Sequence, residues 1–275
     1  MEAAEPAVTR VRVAMVVPPQ AVVFEPAADL RASASDDAEL VDQVHYREHL
    51  RVLASRDGWH HVQAEDHYFG WVRQDAIGLV EASVHGPIVD VPLAAIRRRP
   101  DRSSEVVGHL PAGTPLTQQS SEQVGWAWVD IRRRGDIAAL TGYVSLDDSI
   151  DLGTLPYRPP TPDDLIATAE AFVGVPYLWG GTTGLGLDCS GYVQQVYGLN
   201  GLRLDRDADQ QALEGRAVDR AARGDLVFFG RERVTHVGLA RDARTMLNAR
   251  GGRQVEVDDI DSIGVGVLAV RRYLP

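Results

Sequence analysis

Leu187-Asp188-Cys189-Ser190-Gly191-Tyr192-Val193 marks a sharp change of pattern along the chain. Just upstream lies a glycine-rich loop, Gly180-Gly181-Thr182-Thr183-Gly184. Downstream, Tyr192, Val193, Val196 and Tyr197 recur at helical spacing, so the spacing predicts a helix that begins at Cys189. A thiol at a helix start meets free N–H groups and the positive end of the helix dipole. Such placement lowers a thiol pKa from about 8.5 into the range of roughly 3.5–7.5. The Cys189 N–H could in addition donate to an oxyanion. Cys189 is the single cysteine of 275 residues, which rules out an internal disulfide and a multi-cysteine zinc site.

A thiol nucleophile needs a base within reach. Of eight histidines only His236 lies beyond position 109, so the C-terminal segment offers one thiol and one imidazole. Around them the pattern predicts a helix opened by Thr161-Pro162-Asp163-Asp164, a capping box with Asp in place of the usual Glu. That helix carries Leu165, Ile166, Ala169 and Phe172, and ends near Gly174-Val175-Pro176. Strand-like runs follow at 225–229, 235–240, 245–248 and 265–270. Helices first and neighbouring strands later indicate an α+β domain.

Further out, the first half holds a diverged repeat. Ala38-Glu39-Leu40-Val41-Asp42-Gln43-Val44 aligns with Ser104-Glu105-Val106-Val107-Gly108-His109-Leu110. Each copy continues with Gly-Trp (Gly58-Trp59, Gly125-Trp126) and closes on Gly-aromatic-Val (Gly70-Trp71-Val72, Gly142-Tyr143-Val144). Short alternating runs between turn residues predict two small β-barrels. The proline-rich stretch Leu155-Pro156-Tyr157-Arg158-Pro159-Pro160 separates them from the rest. The expected organisation is a tail (1–9), a first barrel (10–82), a second barrel (83–155) and an α+β domain (156–275).

Four motifs in order carry a family resemblance: Pro176-Tyr177-Leu178-Trp179-Gly180-Gly181, Asp188-Cys189-Ser190-Gly191-Tyr192-Val193, Gly224-Asp225-Leu226-Val227-Phe228-Phe229 and Thr235-His236-Val237-Gly238-Leu239. Together they resemble the NlpC family of papain-like cysteine peptidases, over roughly 160–275. The resemblance implies Cys189 as nucleophile, His236 as base, Asn248 as the residue orienting the imidazole, and Tyr177 assisting the oxyanion. Many relatives have His where this chain has Asn248. Two SH3-like barrels ahead of such a domain, with Arg206-Asp207-Ala208-Asp209-Gln210-Gln211, are similar to the YkfC type of γ-D-glutamyl-L-diamino acid endopeptidase. That narrower resemblance implies cleavage of L-Ala-γ-D-Glu-diamino acid peptides derived from peptidoglycan, with a free N-terminal L-Ala required. Asp207 and Glu39 would bind the ammonium and Tyr68 would narrow the cleft. Trp179, Asp188 and Ser190 would line the peptide, and no metal or organic cofactor is implied.

Bulk properties set the outer limits. The net charge of −11 argues against nucleic acid as a partner, and no apolar run approaches the roughly 20 residues of a membrane span. MEAAEPAVTR lacks the pattern of a signal peptide, so a cytoplasmic place is expected, or a secreted or periplasmic one if the N-terminus was trimmed. The acidic charge suits a soluble peptide substrate, and a monomer is the favoured state. His45-Tyr46-Arg47-Glu48-His49, with His60, His61 and His67, is read as a solvated barrel face and not as a metal site. Arg97-Arg98-Arg99 and Arg132-Arg133-Arg134 are read as exposed turns. The loop glycines 180–184 are read as letting backbone approach the cleft. Two other readings are a wall-peptide binding protein with a degenerate enzyme domain, and a thiol-dependent amidase or acyltransferase.

Overall fold

A computed structural model describes residues 20–78, 86–116, 124–131, 139–151 and 159–275. The tail 1–9, the run Arg132-Arg133-Arg134 and the connector residues 155–158 lie outside the described residues.

Two β units come first. In residues 20–78, seven short strands form one sheet around a core of Val23, Leu30, Val44, Leu50, Val62 and Val72. Residues 88–150 form a four-stranded sheet and a two-stranded one over Val89, Ile96, Leu110, Val129, Ile131 and Val144. The repeat is realised residue by residue. Strand Leu40–His45 matches Val106–Pro111, Trp59–Gln63 matches Trp126–Ile131, and each unit has a 3₁₀ turn after its Gly-aromatic-Val strand, at Gln74–Ala76 and Leu146–Asp148. Even the bridge Arg31↔Trp71 has its counterpart in Arg97↔Tyr143. Alternation explains both cores, because every second side chain of each strand points inward. Tyr46 of the first unit packs in the second unit's core, and its hydroxyl donates to the Asp130 carbonyl at 2.9 Å.

The third unit packs helices α1 (Pro162–Ala171) and α2 (Cys189–Leu199) on an antiparallel six-stranded sheet. Its strand order is Arg216–Ala217, Gly266–Arg272, Leu226–Gly230, Val234–Ala240, Thr245–Ala249, Val255–Asp259. The capping box opens α1, with Asp164 N–H on Thr161 Oγ1 and the Asp164 carboxylate on the Thr161 N–H. Tyr192, Val193, Val196 and Tyr197 are wholly buried between α1 and the sheet. Each such apolar side chain contributes on the order of 1.5–3 kcal/mol. The two tyrosine hydroxyls are satisfied by the carbonyls of Ala169 and Gly224, both at 3.0 Å. Strand Val255–Asp259 is an acidic edge strand outside the expected set of strands.

The glycine loop before α2 is held by both β units. A Cβ on Gly180 would fall 2.3 Å from the Leu40 carbonyl oxygen, and one on Gly184 would fall 2.1 Å from that of Pro92. These glycines let the loop seat on the β units, a correction to the expectation that they serve approach to the cleft. Thr182 adds two bonds to Gln43, one from its N–H (3.3 Å) and one from its hydroxyl (3.1 Å).

Candidate active site

Cys189 is the first residue of α2, 9% exposed, with Asp188 as N-cap. The Asp188 carboxylate accepts from the N–H groups of Gly191 (2.7 Å) and Gly180 (3.0 Å), tying the first helical turn to the loop. Arg206 grips the same carboxylate with two N–H groups, at 2.7 and 3.1 Å. Its Nε donates to Asp42 of the first β unit at 2.8 Å. Arg206 and Asp42 are both 2% exposed. A guanidinium at such depth is tenable only with its carboxylates in place, since an unpaired buried charge costs several kcal/mol. Ser190 joins this cluster, donating to Asp188 Oδ1 (3.2 Å) and accepting from Arg206 (3.0 Å). Asp188 and Ser190, expected to line the peptide, thus turn their polar atoms inward and brace the helix start.

His236 lies on strand Val234–Ala240, and its Nε2 is 2.9 Å from Asn248 Oδ1. Asn248 is fully buried on the neighbouring strand Thr245–Ala249. Those two strands pair only at Leu239↔Leu247 and Ala240↔Met246, so the ladder is open where His236 and Asn248 stand. The backbone N–H groups of Val237, next in sequence to His236, and of Ser190 lie near enough to the Cys189 sulfur to favour its charged form. The thiol and the imidazole-bearing segment therefore meet at the open end of the ladder.

The electrostatics bear on one expectation. Burial pushes the Cys189 thiol up to about 12, aided by the charge of Asp188, against the pull of the two N–H groups and Arg206. Burial also holds His236 below its ordinary value; Arg250 acts in the same direction, and Asn248 and Asp258 oppose it. Both shifts run towards the neutral forms, thiol and imidazole, and so against the expected thiolate. Desolvation outweighs the helix start here. Burial raises the phenol of half-buried Tyr177, and its nearness to Cys189 adds to the shift, keeping a donor available.

The first β unit supplies the rest of the surroundings. Tyr68 donates its hydroxyl to Asp207 at 3.2 Å, and burial raises the Asp207 carboxyl. Trp179, 62% exposed, donates its indole N–H to Glu39 at 2.8 Å. Asp66 accepts from Gln194 of α2 at 3.1 Å. Glu39, Tyr68, Trp179 and Asp207 are thus paired across the seam between the first unit and the third.

Two groups depart from the solvated-face reading. His45 and Glu48 line a cavity of about 530 Å³ in that seam, with Asp42, Asp66 and Gln194. Burial lowers His45 to about 4 and raises Glu48. Among the described residues no group of three or more His, Cys, Asp or Glu could hold a metal ion.

Sequence reasoning passed over Asp42 and Asp258, and quoted Arg206 only within a motif. For Asp42 a signal existed: it alternates with Val44 on the inward face of its strand, where a carboxylate must find a cation.

Comparison with known proteins follows the same division. Residues 174–267 match the NlpC/P60 family, and residues 30–77 match the bacterial dipeptidyl-peptidase SH3 domain. The chain carries an NlpC/P60 domain behind a bacterial SH3 domain. The NlpC/P60 match encloses Cys189, His236 and Asn248, and the SH3 match encloses Glu39, Asp42 and Tyr68. A γ-D-glutamyl-L-lysine dipeptidyl-peptidase of Bacillus cereus is 39% identical over 127 residues, 42% of this chain and only 38% of the relative's own length. Dipeptidyl-peptidase 6 of Lysinibacillus sphaericus is 27% identical over 88% of this chain and 92% of its own length. The crystal structure of an NlpC/P60 family protein from Bacillus cereus superposes with a TM-score of 0.77 at 23% identity, covering 93% of this chain and all of that one. That likeness speaks for the fold, which is mostly β.

Proposed function

We propose that this protein is a cysteine endopeptidase that hydrolyses the γ-D-Glu–diamino acid bond of peptidoglycan stem peptides with a free N-terminal L-Ala. In this reading 10–82 and 83–155 are SH3-like barrels and 156–275 is a papain-like α+β peptidase domain. One observation carries the substrate choice: the SH3 domain meets the NlpC/P60 domain through the pairs Glu39–Trp179 and Tyr68–Asp207. Carboxylates beside aromatic rings suit an ammonium group, and a wall on that side of the cleft excludes longer chains. The relatives' names, dipeptidyl-peptidases acting on γ-D-glutamyl-L-lysine among them, point the same way.

The chemistry starts from a thiol and an imidazole, the forms that burial favours. His236 Nε2 is engaged by Asn248, which leaves Nδ1 to take the thiol proton as sulfur attacks the γ-D-Glu carbonyl carbon. The Cys189 N–H and the Tyr177 hydroxyl would hold the oxyanion. The protonated imidazole then gives its proton to the departing amine, and water hydrolyses the thioester with His236 again as base. The test is mass spectrometry of products from L-Ala-γ-D-Glu-diamino acid, free and N-acetylated. Cleavage of the free peptide alone is expected, abolished in Cys189→Ala and His236→Ala. Equal cleavage of the capped peptide would remove the ammonium site. Release of only the terminal amide or of an acyl-transfer product would reassign the bond.

A further inference from the structure

Asn248 poses a problem of orientation. A side-chain amide has an acceptor end and a donor end of nearly equal shape, and only the acceptor end can hold His236 with its proton on Nε2. Flipped, the amide would offer N–H to the ring, move the ring proton to Nδ1 and leave no base facing Cys189. Something must fix the amide.

The acidic edge strand does so. Asn248 Nδ2 lies 3.1 Å from Asp258 Oδ2, and a carboxylate without a proton can only accept. The amide oxygen is thereby turned to His236, at 2.9 Å. Asp258 is two pairs along from Glu256, the register partner of Asn248, so it stands on the same face of the sheet. Its carboxylate is 12% exposed and flanked by Arg250 at 3.6 Å and Arg253 at 3.8 Å, and Arg253 is itself bonded to Glu256 at 2.7 Å. We infer that Asp258 is a positioning residue of the active site, which through Asn248 fixes the tautomer of His236. This deepens the proposed peptidase reading, but its first test needs no substrate.

That test is the ¹⁵N spectrum of the His236 ring in resting protein. Wild type should show the Nε2–H tautomer, and Asp258→Ala a mixture of the two. With the cleavable peptide, Asp258→Ala should lose kcat by about tenfold or more at unchanged KM. The swap sharpens the case. Asn248→Asp alone sets two carboxylates face to face and should be poorly active. Asn248→Asp with Asp258→Asn restores an acceptor towards His236 and a donor towards position 248, and should recover kcat to within a few-fold. Its acid limb should move to higher pH, because a carboxylate now touches the imidazole and raises its pKa. Should Asp258→Ala fail to fold, the swap and Asp258→Asn carry the measurement. An unchanged tautomer together with unchanged kcat in the Asp258 variants, or a swap no better than Asn248→Asp, would overturn the inference. If no peptide is cut by any form, the ring spectrum still decides the role of Asp258, and only the peptidase reading falls.

Discussion

The two β units share one pattern, yet among the described residues it is the first whose side chains hydrogen-bond to the active-site helix. Their strands begin at matched residues, Leu40 and Val106, and both are preceded by a glutamate. Two positions into each strand's inward run they part: Asp42 in the first unit stands against Gly108 in the second. Tyr68, two residues before Gly70, stands against Leu140, two before Gly142. Asp42 meets Arg206 and Tyr68 meets Asp207. The second unit touches the catalytic unit by shape, through Pro92 under Gly184 and Ala112 in its core. One copy supplies polar groups to the site and the other supplies a seat. The difference rests on a few side chains, so it can be broken one at a time.

The largest effect should come from Asp42→Ala. It leaves a buried guanidinium with one carboxylate fewer, a change that typically costs about 3–5 kcal/mol. The melting temperature should fall by several degrees. Turnover should fall further than melting explains, because Arg206 braces the Asp188 cap of the catalytic helix. Asp42→Asn, which can still accept from Arg206, should lose less of both. A melting curve and a rate for Asp42→Ala that match wild type would reduce the seam to packing.

Next in size is the response of the thiol to pH. Alkylation by iodoacetamide should rise about tenfold per pH unit through neutrality and on towards pH 9, since the thiol is raised to about 12 by burial and by Asp188. A plateau between about pH 5 and 8 would instead reveal a resting thiolate–imidazolium pair. Turnover has an acid limb of its own. His236 must be neutral to accept the proton, and its pKa is lowered, so activity should persist below pH 6.5 and be lost as pH falls through the depressed imidazole value.

Smaller, and specific to substrate, are Tyr68→Phe and Glu39→Gln. Neither side chain is buried in a core, so melting should hold. Each should lower kcat/KM for the free-amine peptide by about tenfold, the order of one charge-assisted hydrogen bond. Any residual cleavage of an N-acetylated peptide should stay as it was. Equal loss on both peptides would mean that the pair shapes the cleft without reading the ammonium.

How much of this was legible follows from what each residue depends on. Helices α1 and α2 were readable because capping and periodicity are local, and four of the strands of the catalytic sheet were readable as apolar runs. The proposed nucleophile and base could be picked out by inventory, because their segment has one candidate of each kind. Val255–Asp259 was not, since Glu and Asp are poor strand residues and an edge strand has only one apolar face to show. With that strand the partner of Asn248 was lost. Arg206 looked like any surface arginine, since nothing nearby in sequence announces that a carboxylate 164 positions away will bury it. The opposing pull of burial on the thiol was hidden for a related reason. Its helix start is written in the local sequence, whereas its burial is a property of the assembled site.

The smallest effect is expected at Glu105, the repeat mate of Glu39. Glu39 meets the indole N–H of Trp179, whereas among the described residues Glu105 pairs with Arg98 of its own hairpin, exposed to water. Exposed pairs of this kind contribute little, because solvent screens them and ordering two long side chains offsets the attraction. Glu105→Gln should therefore leave kcat, KM and melting as they are, while Glu39→Gln does not. Since both substitutions remove one charge from the same position of the same pattern, any general effect of charge or of the fold would appear in both. A matching loss at Glu105 would show that the two units are not functionally distinct, and Glu39 would then have no special claim on the substrate.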